Sequence, residues 1–426
     1  MRRCDVGNSS TTVHAACVQY QARVEASVEA YQETIERFAG MARERHAELL
    51  VLPEGMGLLL AAPLLTGTRS RLARAAASAA DPRRPLKDRA RGLLARPLAG
   101  ILRADYAAAL MEWLENPDNL GRLVEAYIQM YAKLARRYQL VIVAGTCPHP
   151  ATPPLALHST YVFGPDGALL GRQDQTHILR PRWRGHAPGN NLAVIHTPAG
   201  NIGVLIGEDI LFPETARALA GAGADILVHL AAVHEAEIAH AMHIAFQARI
   251  IENELYGIEC FLVGHIPWRR ERQEAHGIGT SCIAGPAPIT GRVDGIIAGM
   301  GSAVEGLLIG ELDLEQLHAW WEQSPGSLRQ AVRPEIYRAV ALPVRRPAPA
   351  AAEAETAPRP DRIPEAPEPA PHEALEKEEP GTPVPAEEDW KAIVDETASD
   401  EEIVRSALEA LAKEQDEWER RRDIWD

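Results

Sequence analysis

Aromatic residues are scarce: Phe, Trp and Tyr make up 5% of the 426 positions. A core must therefore rest on Leu, Ile, Val and Ala, and the 46% apolar content is ample for one. Cysteine is scarce too. Five cysteines, an odd number without framework spacing, argue against a disulfide-stapled secreted domain. The first ten residues, M-R-R-C-D-V-G-N-S-S, hold no apolar stretch, so no secretory signal is expected. The longest apolar run, Met56 to Leu65, is too short to cross a bilayer. The expectation is a cytoplasmic protein. Lysine is almost missing from the body of the chain, where only Lys87 and Lys133 precede residue 341.

Charge is unevenly spread. Residues 341–426 carry 24 acids against 11 bases, whereas the preceding 340 residues are nearly balanced at 35 against 33. The net charge of −15 thus belongs almost wholly to the tail, and nothing in the balance supports nucleic-acid binding. Residues 341–386 are rich in Pro, Ala and Glu, and read as a disordered linker that cannot bury enough apolar surface to order itself. Residues 387–426 read as a terminal helical segment. It has an S-x-x-E capping box at Ser399 and Glu402, and an apolar face of Ile403, Val404, Ala407, Leu408 and Leu411.

Within the body, strand-like apolar runs alternate with helical periodicity. A first strand at 14–20 is followed by an amphipathic helix within 24–48 and a short strand ending before Glu54. Further strand-like runs fall at 140–145, 159–164, 192–197, 202–207, 225–230, 258–264, 280–285 and 306–311. Helical patterns fall at 121–137, 213–222 and 236–254. This alternation predicts layered sheet and helix.

Several motifs occur in a telling order: A-E-L-L-V-L-P-E ending at Glu54; the turn Gly164-Pro165-Asp166-Gly167 followed by G-R-Q-D-Q-T-H-I-L; G-V-L-I-G-E-D-I-L-F-P-E from Gly203 to Glu214; R-I-I-E-N from Arg249; and G-T-S-C-I-A-G-P from Gly279. From about His14 to Leu314 the chain resembles the nitrilase, or carbon–nitrogen hydrolase, superfamily. The resemblance implies an α/β fold, a four-layer α-β-β-α sandwich, over residues 12–340. It also implies a Glu–Lys–Cys catalytic triad. A thiol of pKa near ~8.5 needs a base and a cation nearby to attack at neutral pH. Glu54 stands at the position of the base. Gln175, two residues before the family-like His177, stands at the position of the lysine, and Gly207 at the position of the cysteine.

The expectation is a protein that has kept the fold and lost the chemistry, and that binds an unknown small molecule or protein. The alternative is a hydrolase of amide or nitrile bonds with a substitute nucleophile: Glu208, adjacent to the lost cysteine, or Cys282. His177, Asp209 and His229 are the candidate binding residues. His234, Glu237, His240 and His243 fall on one helix, and His240 and His243 have a spacing able to ligate a metal. A pocket lining or oligomer contact is the more ordinary reading, so neither metal nor cofactor is expected. The resemblance also implies a homo-oligomer. Residues 58–118 form an insert relative to the family. Between 60 and 105 it carries ten bases and three acids at amphipathic spacing, which is expected to act as a lid or as a contact for a partner or an anionic membrane surface.

Overall fold

The computed structural model describes residues 12–25, 27–64, 110–152, 155–183, 185–266, 268, 276–333 and 336. The basic stretch from 65 to 109, the linker and the terminal helical segment lie outside the described residues, and with them the expectations placed there. Of a separate unit at 331–396, only 331–333 and 336 are described. No helix among the described residues is long and apolar enough to cross a membrane.

In chain order the elements are β1 (Thr12–Ala22), α1 (Val28–Glu44), β2 (Leu49–Val51), α2 (Met56–Leu64), α3 (Pro117–Tyr138), β3 (Val141–Pro150), β4 (Ala156–Phe163), β5 (Leu169–Asp174), β6 (Val194–Thr197) and β7 (Gly200–Ile206). A 3-10 turn, Gly207–Leu211, leads to α4 (Pro213–Gly221), β8 (Ile226–Ala231), α5 (Ala236–Asn253), β9 (Tyr256–His265), β10 (His276–Gly277), β11 (Cys282–Ala284), α6 (Ala287–Thr290), β12 (Ile296–Gly299), β13 (Gly306–Asp313) and α7 (Leu314–Gln323). Helix boundaries follow capping chemistry. The Ser27 side chain accepts from the Ala30 amide at the start of α1. Asn116 with Pro117 opens α3, which Gln139 closes in the left-handed region.

The strands run in the order β5-β4-β3-β2-β1-β9-β8-β7-β6. The seam between the halves is short: Tyr20–Ala22 of β1 pairs with Leu262–Gly264 of β9. Strand alternation then sorts side chains into three cores. Val13, Ala15, Cys17, Val143, Val204, Val228 and Ile258 meet between the two half-sheets. Ala16, Val18 and Leu50 face the other way, onto α1, α2 and α3. Leu205, Leu227 and Phe261 face α4 and α5, against Leu219, Met242 and Phe246. Three cores between four layers make an α-β-β-α sandwich.

Two elements depart from the sequence reading. The apolar run at Met56 is a buried helix of the first layer. The segment after the Gly164–Gly167 turn is a strand, β5, whose half-buried residues hide its alternation. The few aromatics are also concentrated: Tyr31, Tyr127, Tyr131 and Phe163 are fully buried in the first core. The Tyr31 and Tyr131 hydroxyls lie 3.0 Å apart, and Tyr127 donates to the carbonyl of Ala144.

Candidate functional site

Three turns converge at the C-terminal ends of strands. Glu54 follows β2, Gln175 follows β5, and Gly207 follows β7. A Cβ built on Gly207 would lie 3.3 Å from Glu54 Oε2 and 3.4 Å from Gln175 Nε2, so the structure brings these distant positions together. It would also lie 2.9 Å from the Nη2 of Arg182. Gly207 has φ +53, a left-handed conformation that glycine adopts without the steric cost a side chain brings.

Arg182 occupies the centre of the cluster, and the sequence reading missed it. The signal for it in the sequence is the basic run Arg180-Pro181-Arg182-Trp183-Arg184, which supplies cations other than lysine shortly after Gln175. Just after Arg182 the loop is tied to the first residue of β4: the Ala156 amide donates to the Gly185 carbonyl, and the Ala187 amide to the Ala156 carbonyl. The guanidinium makes an ion pair with Glu54 and reaches Glu208 Oε2 at 3.3 Å. Gln175 donates to the same Glu208 oxygen at 2.6 Å and to the carbonyl of His177 at 2.9 Å. The second oxygen of Glu54 accepts the Ala232 amide at 2.9 Å.

Burial works against the charge on Arg182, but Glu54 and then Glu208 outweigh it, and its pKa is raised. Burial also raises the pKa of Glu54; Arg182 opposes that rise and Glu208 adds to it. A guanidinium does not give up its proton in a protein, so Arg182 is charged and any proton exchange falls on Glu54. Two carboxylates share one cation here.

His158 completes the wall, with Nδ1 3.9 Å from Glu54. Burial, then Arg182 and His186, holds His158 well below its usual pKa, so the contact is with a neutral ring. His186 stacks on Trp183, and burial followed by Arg182 lowers its pKa to about 3.

The predicted binding residues have other partners. Asp209 is fully buried and accepts from the amides of Thr176, His177 and Ile206 and from the Thr176 hydroxyl. It pins the loop after β5 to the turn after β7. His177 stacks on Phe212 with ring centroids 3.9 Å apart, its Nδ1 3.3 Å from Asp209. His229 lies behind the turn, its Nε2 3.0 Å from the carbonyl of Gly207 and its Nδ1 3.1 Å from Glu259.

Cys282 is not part of the Glu54 cluster. It is buried 4.0 Å from Glu259 Oε2, and burial followed by Glu259 raises its thiol pKa well above the usual range. Cys17, Cys147 and Cys260 are also free and buried. On α5, His240 is exposed, while His243 turns inward to Glu259 at 2.6 Å.

The model of the carbon–nitrogen hydrolase family matches residues 14–322, and the chain belongs to that family. A probable hydrolase of Bacillus subtilis, YhcX, is 27% identical over 234 residues, 53% of this chain and 44% of that protein. The omega-amidase NIT3 of Saccharomyces cerevisiae is 25% identical over 209 residues, covering 46% of this chain and 67% of the relative. The matched segment thus spans about half to two thirds of these curated relatives. Among solved structures, a carbon–nitrogen hydrolase from Helicobacter pylori G27 aligns with 78% of this chain and 99% of its own. Its TM-score is 0.55 at 19% identity, a likeness of fold.

Proposed function

We propose that this protein is a catalytically degenerate carbon–nitrogen hydrolase whose site serves as a binding module for a small molecule or a protein. The observation that supports this most is the position of Arg182. Its guanidinium lies where a side chain on residue 207 would project, 2.9 Å from the Cβ position. A hydrolase of this family needs a thiol there, a free carboxylate to take its proton and a cation beside the oxyanion. Here position 207 has no side chain, Gln175 is neutral, and Glu54 is committed to Arg182 and to the Ala232 amide. Each difference removes one component of the family's reaction, and together they speak against its thiol route to an acyl-enzyme.

The alternative, Glu208 as a substitute nucleophile, is weakened by its contacts. Its Oε2 receives hydrogen bonds from Gln175 and from Arg182. Donors on a carboxylate oxygen hold electron density that an attack would need. Cys282 is buried in a separate group with His243 and Glu259.

The test is turnover by the full chain on short amides, ω-amides, deaminated glutathione and nitriles, with intact-mass detection of acyl adducts. No turnover and no adduct are expected. Turnover that disappears in Glu208→Gln or Cys282→Ala would sink the degenerate reading and identify the nucleophile. Binding is tested separately, by thermal-shift screening of small amides, amines and carboxylates against the protein and its Arg182→Ala variant.

A further inference from the structure

Three neighbouring strands place one polar residue each on the same face of the second half-sheet. His229 of β8 is in register with Glu259 of β9, and Glu259 is in register with Cys282 of β11. Registered partners on adjacent strands point to the same side. That side faces α5, since Leu227 and Phe261 on the same alternation pack with Met242 and Phe246. From α5, His243 descends onto the row. His243 Nδ1, Glu259 Oε2 and Cys282 Sγ lie within 4.8 Å of one another. Glu259 and Cys282 are buried, whereas the His243 side chain is 32% exposed and opens a path from solvent.

We propose that His243, Glu259 and Cys282 form a binding site for a divalent transition metal of the zinc class, separate from the Glu54 cluster. The donor set is one imidazole nitrogen, one carboxylate oxygen and one sulfur, the mixture that zinc accepts. Zinc holds such donors at roughly 2.0–2.3 Å, which sets tetrahedral neighbours on the order of 3.3–3.7 Å apart. The present separations of 2.6 Å from His243 to Glu259 and 4.0 Å from Glu259 to Cys282 bracket that range. Small side-chain rotations would bring the three donors onto one ion. On binding, the thiol releases its proton to solvent, and the thiolate and carboxylate together neutralise the dication. The fourth position is left to water on the side of His243.

The surroundings fit this use. A ligating histidine donates its other ring N–H to an acceptor; the Gln247 side-chain amide nitrogen lies 3.3 Å from His243 Nε2, and a half-turn of that amide would present its oxygen to the ring N–H. A ligating carboxylate is oriented through its second oxygen, and Glu259 Oε1 is paired with His229 at 3.1 Å. Because His229 also donates to the carbonyl of Gly207, an ion at Glu259 would brace the turn after β7 from behind.

The experiment loads the full chain with Zn²⁺, dialyses it and measures retained metal by elemental mass spectrometry. It then repeats the loading with Co²⁺, whose thiolate complexes absorb in the near ultraviolet through charge transfer. One retained equivalent is expected, with a cobalt band that Cys282→Ser removes and a retention that His243→Leu lowers at least tenfold. Circular dichroism of the metal-free variants, matching the parent, separates lost ligation from lost fold. Should either variant misfold, carbethoxylation of His243 located by peptide mass mapping, slowed by Zn²⁺ in the parent, supplies the same readout. Absence of retained metal overturns the proposal. So does a band that survives Cys282→Ser, or retention indifferent to His243→Leu.

Discussion

Arg182 and Gly207 occupy one volume: a Cβ on Gly207 would sit 2.9 Å from Arg182 Nη2. On the proposed reading, installing cysteine at 207 and lysine at 175 is therefore not enough. Gly207→Cys with Gln175→Lys should lack amidase activity, because the new thiol meets the guanidinium and Glu54 stays paired. The left-handed backbone adds a cost of roughly 1–2 kcal/mol for a residue with a side chain. Adding Arg182→Ala should free the thiol, read as stoichiometric alkylation by iodoacetamide that is slow in the double variant. Equal alkylation rates would show that Arg182 does not screen the position.

Removing Arg182 alone leaves Glu54, 1% exposed, without its cation. Breaking a buried ion pair from one side costs about 3–5 kcal/mol. Arg182→Met should lower the unfolding free energy by that order in urea titration. Combining it with Glu54→Gln, which still accepts the Ala232 amide, should recover part of the loss through a coupling of about 1–3 kcal/mol. Strict additivity of the two changes would deny the pairing an energetic role.

Acid should destabilise the fold well above the range in which carboxylates titrate. Burial, followed by Arg182 for His158 and His186 and by Arg172 for His149, holds these three histidines below their usual pKa. In the unfolded chain they protonate near ~6.5. The unfolded state then binds more protons below that value, so stability is full above it and falls as pH drops. For His186, whose folded pKa is about 3, the loss between pH 7 and pH 5 is at most about 2 kcal/mol. Glu54 acts in the opposite sense, because its folded pKa is raised and protonation favours the native state. Melting temperatures recorded from pH 8 to pH 5 should fall, and His186→Gln should flatten the slope. An unchanged slope in that variant would exclude the histidine as a source.

Asp209 should matter more for the shape of the site than its lack of exposure suggests. It collects amides from both the turn after β7 and the loop after β5. Asp209→Asn replaces an acceptor by a donor facing other donors, a loss on the order of 2 kcal/mol for bonds to a charged group. Amide exchange should speed at Thr176 and His177 while the β1 core stays protected. Exchange that rises everywhere together would point to global destabilisation instead.

The sequence determined the layers. Apolar alternation and helical spacing depend on local geometry, so most strands and helices were legible from neighbouring residues. The order of motifs likewise fixed which turns carry Glu54, Gln175 and Gly207. Strand β5 escaped because its residues are half buried and its pattern is mixed, and α2 because a helix buried on all sides has no polar face to mark its period. What fills the site was decided by tertiary structure alone. Arg182 reaches Glu54 only because its loop is bonded to β4, and Glu259 meets His229, His243 and Cys282 only through strand register and the docking of α5. Such pairings join residues far apart in the chain. Their energy comes from burial and from charges brought within hydrogen-bond reach, and neither exists until the layers have closed.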